Sequence, residues 1–587
     1  MIDKDSIRLY FDMEAEAQRK SWDQLMALST DERIRKRKAI YPVYLDKNYK
    51  EEVEDEDRIL LRVTAKRNLS DFKEGECVLL HEVSDTSGVK CVLRGFIDEE
   101  ILELEVFPPN MPNDLSRFFD QPLALDKDVI DLRNYVFDPF VYSLPENEDN
   151  FWPTLLINTK DPPQFEDIDK NREELDDTIK NYKLSLLPKQ EEAIVKSMSA
   201  KDYYLIQGPP GTGKSFVLGL IILEELLYFD HKVAVIGPNH MAINNALAQV
   251  LFTCPGIRNN IIKIGQAYNA PTAFISDDQG KHRITNINRI NVDYANSLTY
   301  PFLYGLTPHS LYTSRARDLE FDTLIIDEAG QMTIPLALMG MNLAKKVILA
   351  GDHKQLPPII SSEDTEEALK QSIFQALITE SNYTMLNVSF RMCEPICNFV
   401  SELFYDNKVE PMKKGCGDLL LSDEPLYSFD SPIVFCNIND DGEQNSDKEA
   451  DYIVSTICGF VERGVPTKEI AVLAPFRAQV ANIRRKIRKS DRLDEESVSS
   501  LSVDTVDKMQ GQEREIIFYS FTAGNSDYLK EMADFLCNPN KLNVAFSRAK
   551  SKLIIVGNLD RLAELDSEAY PHLSHMLKIK DRYVELS

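Results

Sequence analysis

At 587 residues the chain is too long for one hydrophobic core, and roughly three to four domains are expected. Hydrophobic residues make up 43% and charged ones 28%, the balance of a soluble globular protein. No apolar run reaches the roughly 20 residues a bilayer span needs, and the opening Met-Ile-Asp-Lys-Asp-Ser lacks the apolar centre of a signal peptide, so an intracellular, cytoplasmic protein with no membrane contact is expected.

The net charge of −28 counts against a chain that is basic throughout, as many nucleic-acid binders are. The excess is uneven, however. Between residues 98 and 180 there are 22 Asp and Glu against 7 Lys and Arg, which leaves room for a local basic channel elsewhere and makes the acidic stretch a candidate docking region for a protein partner. The nine cysteines are scattered; Cys393 and Cys397 fall on what reads as one helix. With no CxxC pair or Cys/His cluster, buried reduced thiols are expected rather than a zinc finger or an iron–sulfur cluster.

Residues 6–40 place Ile7, Tyr10, Phe11, Ala15, Trp22, Leu25 and Met26 at spacings that fit one or two amphipathic helices. The basic run Arg33, Arg35, Lys36, Arg37 and Lys38 suits either a phosphate backbone or a solvated helix end, and the second is preferred. Short β-like runs follow at residues 59–65, 77–82, 90–97 and 101–107, separated by turn-forming residues, and their spacing predicts a small barrel. The acidic segment 108–163 carries little signal. A charged helix is expected over 164–182.

The stretch Tyr-Tyr-Leu-Ile-Gln-Gly-Pro-Pro-Gly-Thr-Gly-Lys-Ser at 203–215 runs from an apolar strand through a glycine-rich loop into the apolar helical pattern of 216–229. That order is the context a Walker A phosphate-binding loop requires. Gly208, Gly211 and Gly213 let the loop turn its backbone N–H groups, with Thr212 among the nucleotide-binding positions, toward phosphate oxygens, while the helix that follows aims its positive end at the same anion. Lys214 then reaches the outer phosphates and the Ser215 hydroxyl ligates Mg²⁺. Just upstream, Gln190 opens a helix; its amide both donates and accepts, as recognition of an adenine edge requires.

The α/β alternation continues through a buried strand at 232–236 that ends in a polar loop carrying Pro238 and Asn239. Residues of about 254–300 read as an irregular insertion. A further apolar strand at 321–326 is capped by Asp327 and Glu328, followed by Gln331. Asp327 is placed to hold Mg²⁺ and Glu328 to polarise the attacking water. The strand at 347–350 then leads into Gly-Asp-His-Lys-Gln-Leu-Pro-Pro at 351–358, a loop expected to face the γ-phosphate.

Together with Asn-Val-Ser-Phe-Arg-Met at 387–392, Val-Asp-Thr-Val-Asp-Lys-Met-Gln-Gly-Gln-Glu at 503–513 and Leu-Asn-Val-Ala-Phe-Ser-Arg-Ala at 542–549, these segments form an ordered series. It resembles the motif series of superfamily 1 helicases, most closely the up-frameshift-like, 5′-to-3′ group, over about residues 184–558. The resemblance implies two tandem RecA-like parallel-sheet domains in an α/β chain, with an N-terminal helical stalk and a small β-barrel accessory domain. The expected division is stalk helices at 1–45, barrel at 46–107, acidic connector and return helix at 108–183, first RecA-like domain at 184–388 and second at 389–587.

The same resemblance implies an ATP hydrolase that uses ATP and Mg²⁺ to move along single-stranded DNA or RNA. It assigns Gln190 and Phe390 to the adenine, Glu513 to the ribose, Lys214 and Ser215 to phosphate and metal, and Glu328 beside Asp327 to the base. Gln331 and Gln355 fall to the γ-phosphate or attacking water, and Arg391 and Arg548 to two arginine fingers. Pro238, Asn239, Thr307 and Thr505 fall where relatives grip the nucleic-acid backbone. The centre of Asp-Glu-Ala-Gly-Gln at 327–331 departs from the relatives' more usual Cys-Ala or Ala-Ser. Two other readings stay open: an ATP-gated clamp that remodels nucleoprotein with little unwinding, and a P-loop enzyme unrelated to nucleic acid.

Overall fold

The computed structural model describes residues 2–586 apart from 54–57, 67, 69, 71, 73, 74, 98, 99, 107–113, 146–151, 266–273, 278, 279, 292, 294, 296–301, 418–422 and 510. Parts of the expected insertion, of the acidic 98–180 stretch and of the 503–513 motif (Gln510) therefore lie outside the described residues.

The chain opens with α1 (Lys4–Met26), capped by Asp3, whose side chain accepts from the Ser6 N–H, and the short α2 (Thr30–Arg35), capped by Ser29. Oxygen caps satisfy N–H groups that have no helical partner. Six strands follow: β1 (Ala39–Val53), β2 (Arg58–Ala65), β3 (Cys77–Glu82), β4 (Asp85–Phe96), β5 (Ile101–Val106) and β6 (Leu123–Lys127). They close a barrel in the order β1-β2-β5-β4-β3-β6, filled by Val43, Val63, Leu80, Leu93, Leu104, Leu125 and their neighbours.

The barrel is larger than the 46–107 expected from sequence. β1 begins inside the expected stalk and β6 comes from the expected connector. Charges at Asp46, Lys47, Lys50, Glu51 and Glu52 hide β1 from a search for apolar alternation. β6 is short and stands far from the other strands along the chain, yet it pairs with both β1 and β3. Where α2 meets this wall, Arg33 donates to Asp126 through Nε (2.7 Å) and Nη2 (3.0 Å), and His81 Nε2 lies 2.7 Å from the same carboxylate. All three side chains are closed from solvent. The basic run is thus split: Arg33 staples helix to barrel, whereas Arg35, Lys36 and Arg37 face water.

Helices α3 (Ile168–Tyr182) and α4 (Pro188–Ser199) lead into a parallel sheet. Its strands are β7 (Tyr203–Gln207), β8 (Val233–Ile236), β9 (Ile261–Ile264), β10 (Thr285–Ile287), β11 (Leu303–Gly305), β12 (Phe321–Ile326), β13 (Ala344–Gly351) and β14 (Tyr383–Met385), in the order β10-β9-β11-β8-β12-β13-β7-β14. Among the helices that interleave with them are α5 (Lys214–Leu227) and α6 (His240–Thr253). Successive strand residues enter opposite cores: Leu205, Ile236, Leu324 and Leu349 on one face, and Ile206, Val235, Ile325 and Ile348 on the other, as a sheet buried on both sides demands. The expected insertion at 254–300 is partly core. β9 and β10 are sheet strands of four and three residues, too short to show a period.

The chain then forms β15 (Val388–Cys393), α7 (Glu394–Phe404) and β16 (Glu410–Lys413), and a second parallel sheet: β17 (Ile433–Asn437), β18 (Ile470–Ala474), β19 (Ser502–Thr505), β20 (Arg514–Ser520), β21 (Ala549–Gly557) and β22 (Val584–Leu586), in the order β19-β18-β20-β21-β17-β22. Helices α8 (Asp447–Glu462), α9 (Arg477–Lys489) and α10 (Pro539–Phe546) complete this lobe, whose cores again lie on both faces. Two doubly covered parallel sheets in tandem are the RecA-like arrangement. The expectation of reduced thiols fails at one place: β15 pairs with β16 and brings Cys393 and Cys416 into a disulfide, a meeting between two short strands that cysteine spacing does not reveal.

Candidate nucleotide site at the seam of two lobes

β7 ends at Gln207, and the Gly208 N–H donates to the Gly351 carbonyl at 3.0 Å. The loop then turns through Gly211 and Gly213, both left-handed at φ 75° and 81°, a region that costs most side chains strain. A Cβ on Gly211 would stand 2.5 Å from the Arg391 Cβ, and one on Gly208 2.7 Å from the Lys214 Cβ. Thr212 steadies the turn by donating to the Pro209 carbonyl at 2.8 Å. α5 starts at Lys214 without a side-chain cap, so its first N–H groups face the loop as an anion site.

Lys214 Nζ donates to Asp327 at 2.6 Å and to Glu328 at 2.9 Å. Burial works against the Lys214 charge, but the two carboxylates outweigh it and hold its pKa above the usual lysine value. Burial pushes Asp327 up. For Glu328 the same burial is overcome by Lys214, which keeps that carboxyl below its ordinary value and therefore ionised. Glu328 is left-handed at φ 55°, a strained conformation for a non-glycine residue of the kind found at functional sites. Gln331 Nε2 donates to its second oxygen at 3.0 Å.

The second lobe closes over this cluster. The Phe390 N–H donates to the Gly211 carbonyl at 2.8 Å, and Ser389 Oγ donates to the Pro210 carbonyl at 2.9 Å, so β15 is tied to the phosphate loop itself. Arg391 pairs with Glu513 at 2.5 Å and donates to the Ser547 carbonyl; Lys550 also reaches Glu513, at 3.1 Å. Arg548 is buried, donates to the Val544 and Gln512 carbonyls and reaches Gln355 Oε1 at 3.4 Å. Burial and then the Arg391 charge push its pKa down, while Glu328 opposes them; a guanidinium so placed stays charged. Gln190 sits under the loop, accepting from the Leu187 N–H and donating to the Thr212 carbonyl at 3.3 Å, with the half-exposed Phe390 ring beside Gly213.

The structure thus gathers Gln190, the loop, Lys214, Asp327, Glu328, Gln331, Gln355, Phe390, Arg391, Glu513 and Arg548 around one seam. The glycine cradle, the uncapped helix start and the hydroxyl-plus-carboxylate set of Ser215 and Asp327 fit a phosphate chain with a hard cation such as Mg²⁺. Pro238, Asn239, Thr307 and Thr505 sit at or just after the carboxyl ends of β8, β11 and β19, where parallel sheets present ligand sites. The Asn239 side chain caps α6 by accepting from the Ala242 N–H at 3.0 Å, Thr307 Oγ1 lies 2.9 Å from Ser310 Oγ, and Thr505 is largely buried.

Sequence reading missed the groups that set Gln355. Asp352 accepts from Gln207 Nε2 (3.1 Å), the Lys354 N–H (3.1 Å), Gln355 Nε2 (2.9 Å) and the Tyr405 hydroxyl (2.6 Å). Asn543 donates to Tyr405 Oη and the Lys354 carbonyl, both at 2.7 Å. Farther along the loop, the Glu14 carboxylate of α1 accepts from the N–H groups of Ser361 and Ser362 at 2.8–3.0 Å. Asp352 and Asn543 stand inside recognised motifs, but nothing local marks Tyr405 or Glu14.

Two AAA domain profiles match the chain, one over residues 185–292 and 307–363 and the other over 369–560. The DNA polymerase alpha-associated DNA helicase A of Schizosaccharomyces pombe is 28% identical over 71% of this chain and 69% of its own length. An uncharacterised ATP-dependent helicase of Methanocaldococcus jannaschii is 27% identical over 65% of this chain and 69% of its own. The DNA replication ATP-dependent helicase/nuclease dna2 of S. pombe is 28% identical over 67% of this chain, which spans only 29% of that protein. A crystal structure of the Arterivirus nonstructural protein 10 helicase overlays on 86% of this chain and 80% of its own, with 12% identity and a TM-score of 0.37. With its two AAA domain matches, its ordered motifs and its helicase relatives, the chain belongs to the superfamily 1 helicases of the up-frameshift-like group, enzymes of the ATP-hydrolysing helicase type.

Proposed function

We propose that the protein is an ATP-driven motor that moves 5′ to 3′ along single-stranded DNA and displaces the complementary strand. The observation that carries this reading is the seam, where Lys214, Asp327 and Glu328 from the first lobe meet Arg391 and Arg548 from the second. Polarity rests on the group resemblance. DNA, rather than RNA, rests on the names of the relatives, which include a DNA polymerase-associated helicase and a DNA replication helicase/nuclease.

Ser215 and Asp327 would hold Mg²⁺, which would neutralise charge on the phosphates of ATP, and ATP supplies the phosphoanhydride bond whose cleavage drives the cycle. Lys214 leaves the two carboxylates to reach a phosphate, and its departure frees Glu328 to accept a proton from the attacking water. Gln331 holds the Glu328 carboxylate in place, and Gln355 orients toward the terminal phosphate. Arg391 and Arg548 neutralise charge that develops there. Since those arginines belong to the other lobe, charge in the seam holds the lobes together and its loss lets them part. Gln190 and Phe390 hold the base, and Glu513 turns from Arg391 to the ribose. Pro238, Asn239, Thr307 and Thr505 line the carboxyl edges of both sheets as a track for the strand.

A duplex with a 5′ single-stranded tail tests the reading. Stimulation of ATP hydrolysis by single-stranded DNA and displacement from the 5′-tailed substrate, but not from a 3′-tailed one, is the expected result. Stimulation without displacement makes the protein a clamp; no stimulation by any polynucleotide removes nucleic acid from the reading.

A further inference from the structure

We propose that Tyr405 is a positioning residue for hydrolysis: its hydroxyl ties the second lobe to the Asp352 carboxylate and so sets the Gln355 amide against Arg548. The inference rests on the proposed role of the seam and adds to it a group outside every recognised motif.

The contacts form a closed ring across the seam. Asn543, on α10, donates to the Tyr405 oxygen, and Tyr405 donates onward to Asp352 Oδ2. Asp352 Oδ2 also accepts from Gln355 Nε2. With its nitrogen so engaged, the Gln355 amide presents Oε1 to Arg548 Nη2, and Arg548 stands two residues after the end of α10. Asp352 and Gln355 belong to the first lobe, Tyr405, Asn543 and Arg548 to the second. Asp352 accepts four hydrogen bonds in all, which fills the capacity of an ionised carboxylate.

Burial gives the ring its leverage. Tyr405 is 2% exposed, Asp352 4% and Asn543 0%, so water does not replace a lost partner. Burial, and then the Asp352 charge, push the Tyr405 phenol well above its ordinary pKa, so its proton remains available for donation. Tyr405 also ends α7, which begins directly after the Arg391 strand. An 11-residue helix is a rigid rod. The arginine at one end and the hydroxyl at the other therefore move as one body, and closure of the lobes delivers both together.

Full-length wild type, Tyr405→Phe, Asp352→Asn and the double variant test the proposal. ATP hydrolysis would be measured with and without oligo(dT), together with oligo(dT) affinity in ADP and in a slowly hydrolysed ATP analogue. Tyr405→Phe removes one oxygen and keeps the ring. The expected result is a kcat lower by about tenfold with KM for ATP within about twofold, and a nucleotide-dependent difference in oligo(dT) affinity reduced toward none. The double variant should be no worse than the worse single one. Wild-type kcat and an undiminished affinity difference in Tyr405→Phe would overturn the proposal. Should that variant unfold below the assay temperature, the isosteric Asp352→Asn carries the same expectation, and wild-type kcat from it overturns the proposal equally. If wild type itself is not stimulated by oligo(dT), the reading as a DNA motor falls, and the kcat-against-KM split in unstimulated hydrolysis decides the role of Tyr405 alone.

Discussion

The barrel wall and the seam between the lobes both bury charge, but they balance it differently. In the wall, Arg33 makes a two-pronged contact with Asp126 and His81 takes up the same carboxylate, so the ions are mutually satisfied and sealed. In the seam, one lysine is shared by two carboxylates, Glu328 holds a left-handed backbone and two arginines approach from a separate lobe. Sealed ions fix how elements pack. Shared ions with a strained neighbour form a cluster that can exchange partners, and exchange is what a catalytic cycle needs.

That contrast can be broken by substitution. Glu328→Gln and Lys214→Ala are expected to lower ATP turnover by about a thousandfold or more, the first with ATP binding retained, measured by steady-state hydrolysis and nucleotide titration. Turnover surviving in either would mean that the seam is not the site of hydrolysis. Asp126→Ala should act in the opposite sense. It strands the buried Arg33 and should cost about 3–5 kcal/mol of folding stability, read in denaturant melts, while leaving hydrolysis per folded molecule near that of wild type. A large loss of turnover without a loss of stability would erase the distinction.

A carboxylate of the second lobe that takes no part in the seam sharpens it further. Glu449 is buried and accepts from Ser520 Oγ at 2.6 Å and the Thr522 N–H at 3.0 Å; burial pushes its pKa from 4.5 up to about 7. Because the folded value lies above the unfolded one, its contribution is complete below pH 4.5 and is lost as pH rises through 7. Glu449→Gln should flatten that decline by up to about 3 kcal/mol in melts between pH 5 and 8, without changing which nucleotides are hydrolysed.

The phosphate loop was legible because its chemistry is contiguous: glycines, Lys214 and Ser215 follow one another on a single strand–loop–helix. Asp327, Glu328, Arg391 and Arg548 were legible through their motif contexts, although only the fold brings them to one seam. Tyr405 was silent, since its partners stand 53 and 138 positions away and a buried tyrosine reads as core. β1 was masked by its charges, and β9 and β10 were too short to declare a period. The pairing of Cys393 with Cys416 depends on two small strands meeting.

The three hydrogen bonds that Glu14 accepts from the Ser361 and Ser362 amides moor the amino-terminal helix just downstream of Gln355. A pull on the barrel therefore reaches the Gln355 loop through that carboxylate as well as through the apolar face of α1, whose Ile7, Tyr10 and Phe11 pack into the core of the first lobe, and cutting the carboxylate contact would loosen one of two couplings while both parts stay folded.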